Sequence, residues 1–423
     1  MSTALARPRP RRMPPAPPGP FRPRFWKSPL RGPWMTAVLG TLLLMLVSIV
    51  ALTGFLSHAA YQPDLGRNAL VNPDLPFTTF FDWPTGPSWL YALTQGLHVN
   101  LGLAAIPVLL AKLWSVIPRL FQWPPPRTPA EAIERTSIAL LVSSTGFLFA
   151  TGVANIQYWY VFDFNFVKAH YYAAVVFVAA LAVHLVVKVP VALRAYRSRG
   201  VLAPLRAGLA DTRPEPDGDT VAVEPGPPTV SRRGLLAAVG AGSAALLVAN
   251  AGESIGGPLR GVAFLAPRRS GGFPVNKTAA AAKVTEEMVG SGYRLMLRGG
   301  ASELALTIDD LRALPQATHT LTLGCVEGWS TRQTWAGVPL SELARRAGVS
   351  DPAELLVVSL QPAGVLSQAT LAAGQVADSR ALLALRVGGE DLALDHGYPA
   401  RIIVPGLPGV HNTKWVGSLE FRA

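Results

Sequence analysis

The chain has 423 residues, of which 50% are hydrophobic and only 15% carry a charge. Soluble domains average about 25% charged residues, so this composition argues against a wholly soluble, a disordered or a fibrous protein. The 38 basic and 26 acidic residues give a net charge of +12, but the basic residues lie at the ends of apolar runs, which is typical of membrane topology and not of nucleic-acid binding.

The N-terminal half of the chain has the pattern of a membrane domain. Residues 1–33 are rich in proline and arginine and have no apolar periodicity, so we expect a disordered, basic cytoplasmic tail. Five apolar runs follow, and the first four are joined by short connections. This pattern predicts an all-α transmembrane four-helix bundle over residues 34–195. Five runs are long enough, or nearly so, to cross roughly 30 Å of hydrocarbon, and they lie near Trp34–Leu56, Trp89–Ile117, Ser137–Ile156, Val167–Val189 and Leu235–Ala251.

The basic residues between these runs predict the orientation in the membrane. The tail and the loops that contain Arg119 and Arg194 are expected on the inner side, whereas the loop over residues 57–88 has three acidic residues and one basic residue and is expected outside. Residues 196–230 are then a cytoplasmic linker, and a fifth transmembrane helix over 231–252 carries the rest of the chain outward. We therefore expect a multi-pass protein of the cell membrane with an extracytoplasmic C-terminal domain.

A pair of arginines precedes the fifth apolar run. Arg232 and Arg233 follow Ser231 and are followed by a weakly apolar helix rich in alanine, glycine and leucine. One interpretation is an internal twin-arginine export signal, which serves proteins that fold and take up a cofactor before export. The other is ordinary anchoring by positive residues on the inner side of the membrane.

Histidines in the apolar runs predict a haem site. Ionisable residues within a membrane are costly and by default functional, and haem ligation is one leading reason for a histidine in a helical bundle. His98 and His170 lie at similar depths toward the outer side, so we expect one haem b between them. The 14-residue spacing of His170 and His184 places both on one helix face, roughly 21 Å apart, so a second haem, or a His98–His184 pair, stays open. The alternatives are histidines hydrogen-bonded within the bundle and a bundle that holds no haem and is only an anchor.

The pattern of apolar residues changes at about residue 268. Short apolar segments such as Leu355–Leu360 and Arg401–Val404 alternate with glycine and proline, and one amphipathic helix is predicted at Leu340–Ala347. Residues 268–423 therefore predict an α+β domain of ordinary size. The chain has one cysteine, Cys325, so no intramolecular disulfide forms, and a thiolate is a soft ligand suited to a transition metal.

Three sequence blocks in this domain resemble one known family. They are Thr320–Leu340, which contains Cys325, then Asp395–Gly406 and His411–Gly417. In this order and spacing they resemble the molybdopterin domain of the sulfite oxidase family, and are closer to its bacterial, methionine-sulfoxide-reductase-like and unassigned members. The segment Phe273–Thr278 is similar to the family's entry segment to the pterin.

The resemblance implies a set of cofactor-binding residues. Cys325 would be the one protein ligand of molybdenum and the catalytic residue. The residues that the resemblance implies for the pterin and its phosphate are Asn276, Lys277, His319, His396, Arg401, His411 and Lys414.

Two departures from the family pattern bear on function. The chain ends at Ala423, directly after the last block, so we expect no immunoglobulin-like dimerisation domain of the sulfite oxidase kind. Gly364–Ser367 lacks the aromatic residue that often stands near this point in the family, which argues against tyrosine-assisted sulfite chemistry.

We therefore predict a membrane-bound, molybdenum-dependent oxidoreductase of the sulfite oxidase family. Its haem b would exchange electrons between the quinone pool, or another membrane carrier, and an exported molybdopterin site. Oxygen-atom transfer with a small-molecule oxo-donor or acceptor, such as sulfoxide reduction, is the expected reaction, and no nucleic-acid partner is expected. The alternatives are a sulfite dehydrogenase and a non-catalytic, membrane-anchored binding module.

Overall fold

A computed structural model describes residues 15–68, 81–123, 126, 128–268, 272–300, 302–364 and 366–423. Residues 1–14 of the basic tail lie outside the described residues, and so does Val365 in the segment without an aromatic residue. The chain divides into two compact units. Unit 1 comprises Met1–Leu43, Pro107–Val142 and Val178–Ala241, and unit 2 comprises Leu44–Ile106, Ser143–Phe177 and Gly242–Ala423.

Five long helices account for most of the N-terminal half. Each predicted apolar run coincides with one of them, although the third helix begins eight residues before its run and the fourth ends ten residues after its run. By length and composition all five could cross a membrane. Pro33 and Pro129 are the first residues of their helices, where proline is tolerated because its missing N–H has no helical partner. The helices are α1 (Pro33–Ala60), α2 (Leu90–Leu120), α3 (Pro129–Ile156), α4 (Phe166–Arg199) and α5 (Arg232–Ile255).

The tail and the linker, both expected to lack structure, contact each other and the helices in unit 1. The buried Glu215 carboxylate accepts hydrogen bonds from the backbone N–H groups of Trp34 and Met35, at 2.9 and 3.2 Å. These N–H groups belong to the first turn of α1 and have no helical acceptor. The guanidinium of Arg31 lies over the Trp114 ring, 4.6 Å from its centroid. Composition predicted no structure here because these contacts join segments far apart in the sequence.

The C-terminal part is an α+β domain, as predicted. The predicted helix at Leu340–Ala347 is confirmed as a helix over Leu340–Arg346, and the two predicted strands are confirmed as Glu354–Ser359 and Arg401–Ile403. The short helices are α6 (Ala279–Ala282), α7 (Glu286–Val289), α8 (Ile308–Ala313), α9 (Leu340–Arg346) and α10 (Ala373–Ala377). The strands are β1 (Leu295–Gly299), β2 (Ser302–Leu306), β3 (Ala317–Gly324), β4 (Ser330–Pro339), β5 (Glu354–Ser359), β6 (Gln368–Ala372), β7 (Leu382–Val387), β8 (Glu390–Asp391), β9 (Arg401–Ile403) and β10 (Val416–Arg422).

The strands form two sheets. The first has the order β2-β1-β10-β5-β6, with β1 and β10 parallel and the other neighbours antiparallel. The second joins β3, β4, β7 and β8 in that order, and β9 pairs with β7. The hairpin of β3 and β4 places Cys325 at its turn, while β9 places Arg401 at the start of a strand in the same sheet.

The core of the domain includes the ends of two long helices. Leu297, Val357 and Leu419 from the first sheet are buried in one cluster that also contains Ala60 at the end of α1 and Tyr91 at the start of α2. Between these helices, the side chain of Trp83 donates a hydrogen bond to the carbonyl of Gly406 at 2.8 Å. Within unit 2 the domain is therefore built directly on the helix ends and is not held by a tether alone.

Candidate functional site

Cys325 lies in the tight turn between β3 and β4. Its backbone N–H donates to the carbonyl of Trp329 at 2.9 Å, and its carbonyl accepts from Gly328 N–H at 3.0 Å. Gly328 has a φ of +97°, a conformation that side-chain-bearing residues rarely adopt. The turn buries the cysteine almost completely, with 3% of its surface exposed.

The surroundings of the thiol suit a metal ligand. Burial and then the nearby Glu327 carboxylate raise the pKa of the Cys325 thiol well above its usual range, while the backbone N–H groups of Glu327 and Val326 oppose this by hydrogen bonding to the sulfur. A thiol in such a place stays protonated until a metal ion replaces the proton. The two N–H groups would then stabilise the metal-bound thiolate.

Arg401 is a buried cation beside the thiol. Its guanidinium donates to the His396 carbonyl at 3.2 Å and lies over the ring of Trp335, 5.6 Å from its centroid. Burial lowers the pKa of Arg401 to about 10, and the Cys325 thiol is close enough to oppose that shift. Its Nε is buried and has no hydrogen-bond partner within the described part of the chain, so this side chain has an unused donor.

Lys414 is a second buried cation in the same place. Its ammonium donates to the carbonyls of Lys277 and Asp395, at 2.8 and 2.7 Å. Burial and then the proximity of Arg401 lower the pKa of Lys414 to about 6. Burial and repulsion from Arg401 therefore disfavour the charged form of Lys414, and a bound anion would restore that charge.

His396 and Phe273 form a stacked pair next to Arg401. Their rings are parallel to within 13°, with centroids 3.9 Å apart, and the His396 Nε2 donates to the Phe273 carbonyl at 3.2 Å. Burial lowers the pKa of His396, with the Phe273 carbonyl opposing. The segment predicted to meet the pterin is therefore joined to the second sequence block by a direct ring contact.

His411 is buried and touches a residue from the end of α1. Its ring lies edge-on to Tyr61, with centroids 5.8 Å apart, and burial lowers the pKa of His411 to about 4. Its Nδ1, like Thr413 Oγ1 and Trp335 Nε1, is buried without a hydrogen-bond partner among the described residues. Unpaired buried polar atoms are rare in folded proteins and here lie in the sequence blocks that contain Cys325 and Lys414.

The remaining predicted pterin residues are Asn276, Lys277 and His319. The backbone carbonyl of Asn276 accepts a hydrogen bond from Arg268 at 2.6 Å, and that of Lys277 accepts the bond from Lys414. His319 is half-buried in β3 opposite Trp335, and within the described ranges no side-chain contact joins it to Cys325. The structure thus brings Cys325, His396, Arg401 and Lys414 together and leaves His319 apart.

Sequence reasoning missed a polar cluster beside Cys325. Arg268 contacts the Glu327 carboxylate at 3.0 Å, and both contact the hydroxyl of Tyr158 in the loop after α3. The same arginine donates to the carbonyls of Val275 and Asn276. Glu327 stands two residues after the cysteine, which was a usable signal. Tyr158 had no comparable signal in the sequence.

His98 and His170 form a second candidate site within unit 2. Their ring centroids are 6.1 Å apart and the rings are at 78°. The His98 Nδ1 donates to the Val50 carbonyl at 2.9 Å. The His170 Nδ1 is 2.9 Å from the Thr151 hydroxyl, which donates its own hydrogen to Phe147 and therefore accepts from the imidazole. Both rings then have a proton on Nδ1 and a free lone pair on Nε2, the tautomer of a metal-binding histidine.

The other membrane histidines are placed differently. His184 belongs to the part of α4 in unit 1. His58 stacks on Tyr171, with ring centroids 3.8 Å apart. Of the pairings left open by the sequence, the structure brings His98 together with His170.

Comparison with known proteins agrees with the geometry around Cys325. The sequence model of the family described as oxidoreductase molybdopterin binding domain matches residues 281–423. Mitochondrial sulfite oxidase of Macaca fascicularis is 32% identical over 158 residues, which cover 31% of this chain and 29% of that protein. A putative protein-methionine-sulfoxide reductase subunit of Azospira oryzae is 29% identical over 156 residues, which cover 35% of this chain and 55% of that protein.

Among solved structures, the sulfane dehydrogenase SoxCD from Paracoccus pantotrophus is similar, with 29% identity and a TM-score of 0.29. That match covers 31% of this chain and 38% of the SoxCD chain. The chain spans less than a third of the length of the mitochondrial sulfite oxidase it matches. Residues 281–423 therefore match an oxidoreductase molybdopterin-binding domain, and this part of the chain is similar to sulfite oxidases.

Proposed function

We propose that this protein is a membrane-bound oxidoreductase that passes electrons between quinones and an extracytoplasmic molybdopterin site by way of one haem b. When bound, molybdenum supplies two-electron oxygen-atom chemistry and the haem supplies one-electron exchange with quinones. The reaction we propose is the reduction of a sulfoxide, which takes up two electrons and two protons and releases a sulfide and water. The similarity to a putative protein-methionine-sulfoxide reductase subunit supports this direction.

The residues around Cys325 fit a molybdenum cofactor. Cys325 would bind the metal through its sulfur, which is a soft ligand. Arg401 and Lys414 would bind the anionic phosphate and the polar edge of the pterin, because both are buried cations and Arg401 has an unused Nε. The unpaired Nδ1 of His411 and hydroxyl of Thr413 are further donors or acceptors for such a ligand.

The residues around His98 and His170 fit a haem. Two imidazoles bound to one metal ion through bonds of about 2 Å have ring centres about 6 Å apart, close to the 6.1 Å between these rings. Glycines lie beside both rings: a Cβ on Gly54 would come within 2.8 Å of His98, and one on Gly152 within 3.5 Å of His170. The absence of side chains there lets α1 and α3 approach the two imidazole rings closely.

The observation that carries the proposal is that both sites belong to unit 2 and share helix α2. His98 lies on α2, while the first turn of the same helix covers the end of β3, directly before Cys325, since a Cβ on Gly324 would lie 3.0 Å from the Ala92 backbone. The five apolar helices and the basic residues on their expected inner ends support a membrane location with the domain outside.

The direction of electron flow is tested with the purified, detergent-solubilised protein. We expect that a quinol reduces the haem and that methionine sulfoxide then reoxidises it, seen as loss of the reduced haem bands. Cys325→Ser should keep the first step and lose the second. If methionine sulfoxide leaves the haem reduced, the proposed reaction is wrong.

The second candidate is a sulfite dehydrogenase, favoured by the similarity to sulfite oxidases. In the same spectroscopic experiment, sulfite would reduce the oxidised haem in the absence of quinol. This outcome would replace sulfoxide reduction by sulfite oxidation without changing the assignment of the two cofactor sites.

A further inference from the structure

The turn that contains Cys325 is hydrogen-bonded to α2, the helix that carries His98, and to α5. The side-chain amide of Gln95 on α2 donates to the Val326 carbonyl at 2.5 Å. The hydroxyl of Ser254 on α5 donates to the Gly328 carbonyl at 2.6 Å, and Ser330 donates back to the Ser254 carbonyl at 2.6 Å. Three hydrogen bonds therefore fasten a turn of only a few residues.

Small residues let the turn approach α2 closely. A Cβ on Gly328 would lie 3.1 Å from the side chain of Val99, and one on Gly324 would lie 3.0 Å from the Ala92 backbone. Ala92, Gln95 and Val99 are three and four residues apart in sequence and thus lie on one face of the helix. The backbone of the turn therefore rests directly on this face of α2.

His98 lies on the same helix, three residues after Gln95, or about one turn. A path of bonds runs from Cys325 through the peptide bond to Val326, across the hydrogen bond to Gln95, and along one turn of α2 to His98. Gln95 is half-buried and belongs to neither of the two candidate cofactor sites. No part of the catalytic proposal uses this side chain.

We infer that Gln95 is a positioning residue that fixes the Cys325 turn against α2 and completes the electron path between the Cys325 sulfur and the His98 ring. The electron path rests on the proposed function, whereas the positioning of the turn does not. For each sulfoxide reduced, two electrons pass along this path one at a time. The quinol would supply these electrons, and the sulfoxide would take them up with two protons to give the sulfide and water.

The first test needs no cofactor. In cofactor-free protein, Gln95→Leu removes the amide while keeping an apolar side chain of similar size. We expect backbone amides of residues 325–330 to exchange with deuterium about fivefold faster, the effect of losing one buried hydrogen bond. The matched control is Gln157→Leu, since the Gln157 amide makes the same kind of bond, at 2.9 Å, to the Leu265 carbonyl away from the turn. The control should leave exchange at 325–330 unchanged.

The second test uses protein loaded with both cofactors. We expect Gln95→Leu to slow the reoxidation of the quinol-reduced haem by methionine sulfoxide about tenfold, as a small misplacement does. The haem spectrum and midpoint potential should stay those of the wild type, which separates a broken path from a damaged haem site. Gln157→Leu should reoxidise at the wild-type rate.

The outcomes separate this inference from the proposed function. If Gln95→Leu leaves both the exchange and the reoxidation rate unchanged, the positioning role is wrong although the proposed function stands. If exchange rises but the rate does not fall, the turn is positioned by Gln95 and the electron path is wrong. If the wild type holds no haem, the proposed function and the path fail together, before any variant is compared.

Discussion

The Nδ1 atoms of His98 and His170 are both hydrogen-bonded, to the Val50 carbonyl and the Thr151 hydroxyl, while the two rings lie 6.1 Å apart. This arrangement fixes the tautomer of both rings and leaves each Nε2 for a metal ion. We predict that His98→Ala and His170→Ala each abolish the Soret band of the purified protein. His184→Ala, in unit 1, should keep it.

A substitution at Thr151 should weaken the haem site without abolishing it. Thr151→Val keeps the shape of the side chain but removes the acceptor of the His170 N–H. We expect the haem to bind about tenfold more weakly or with a shifted midpoint potential, since partners of metal-binding histidines have effects of this size. Haem titration of the cofactor-free protein measures the change, and an unchanged affinity together with an unchanged potential would contradict the assignment of His170.

Substitution of Arg401 should have opposite effects on the stability of the cofactor-free protein and on molybdenum binding. Its buried cation has little compensation, so Arg401→Met should stabilise the cofactor-free protein by about 1–3 kcal/mol. The same change should abolish molybdenum binding, because it removes the positive charge and the unused Nε. Thermal unfolding of cofactor-free protein and metal analysis of protein made with the cofactor measure the two effects.

The control for Arg401 is Arg386→Met on β7. Arg386 is exposed and lies 3.8 Å from Asp391, so its loss should change stability by less than about 1 kcal/mol and leave molybdenum content unchanged. If Arg401→Met bound molybdenum as well as this control does, the role of Arg401 in holding the cofactor would be wrong.

His411 predicts an acid-dependent loss of stability in the cofactor-free protein. Its pKa is about 4 in the folded state, against about 6.5 in an unfolded chain. Between these values the unfolded chain takes up a proton that the folded protein does not, so stability falls as the pH decreases from about 6.5 to about 4. Over this window the loss is about 3 kcal/mol. His411→Phe should remove this part of the pH dependence of stability, as measured by thermal unfolding. A pH dependence equal to that of the wild type would show that His411 is not its cause.

Arg268 predicts a coupling between the polar cluster and the pterin segment. It contacts Glu327, Tyr158 and the carbonyls of Val275 and Asn276. Arg268→Met should destabilise the protein by about 1–3 kcal/mol and lower its molybdenum content, since the segment loses two hydrogen bonds. Comparison of hydrogen exchange at residues 272–277 with the wild type checks the cause. Unchanged exchange in this segment would mean that Arg268 does not hold it.

The elements that the sequence predicted well are those with local signals. The five apolar runs predicted α1 to α5 because helix length and hydropathy are properties of one segment. The helix at Leu340 and the strands near Leu355 and Arg401 were predicted for the same reason. The position of Cys325 in a tight turn was not predicted, although Gly324 and Gly328 on either side of it were a usable signal.

The contacts between distant segments were beyond such reasoning. Pairing of β1 with β10 joins strands about 120 residues apart, and no local pattern specifies that register. Tyr61 and Trp83 had no sequence signal for a place in the C-terminal domain, because one aromatic residue near a helix end looks the same whether it meets lipid or protein. The hydrogen bond from the first turn of α1 to Glu215 is a third case, because the composition of the segment around Glu215 indicates only a linker.

The central claim is that one chain holds molybdenum and a haem b in a single electron path. Metal analysis of the detergent-purified protein, made in a host that produces the molybdenum cofactor, tests it most directly when joined to a dithionite-reduced minus oxidised spectrum. The account predicts one molybdenum atom per chain together with one b-type haem, and loss of the haem bands in His98→Ala. Molybdenum without haem would reduce the helices to an anchor, and a chain with neither metal would contradict the account.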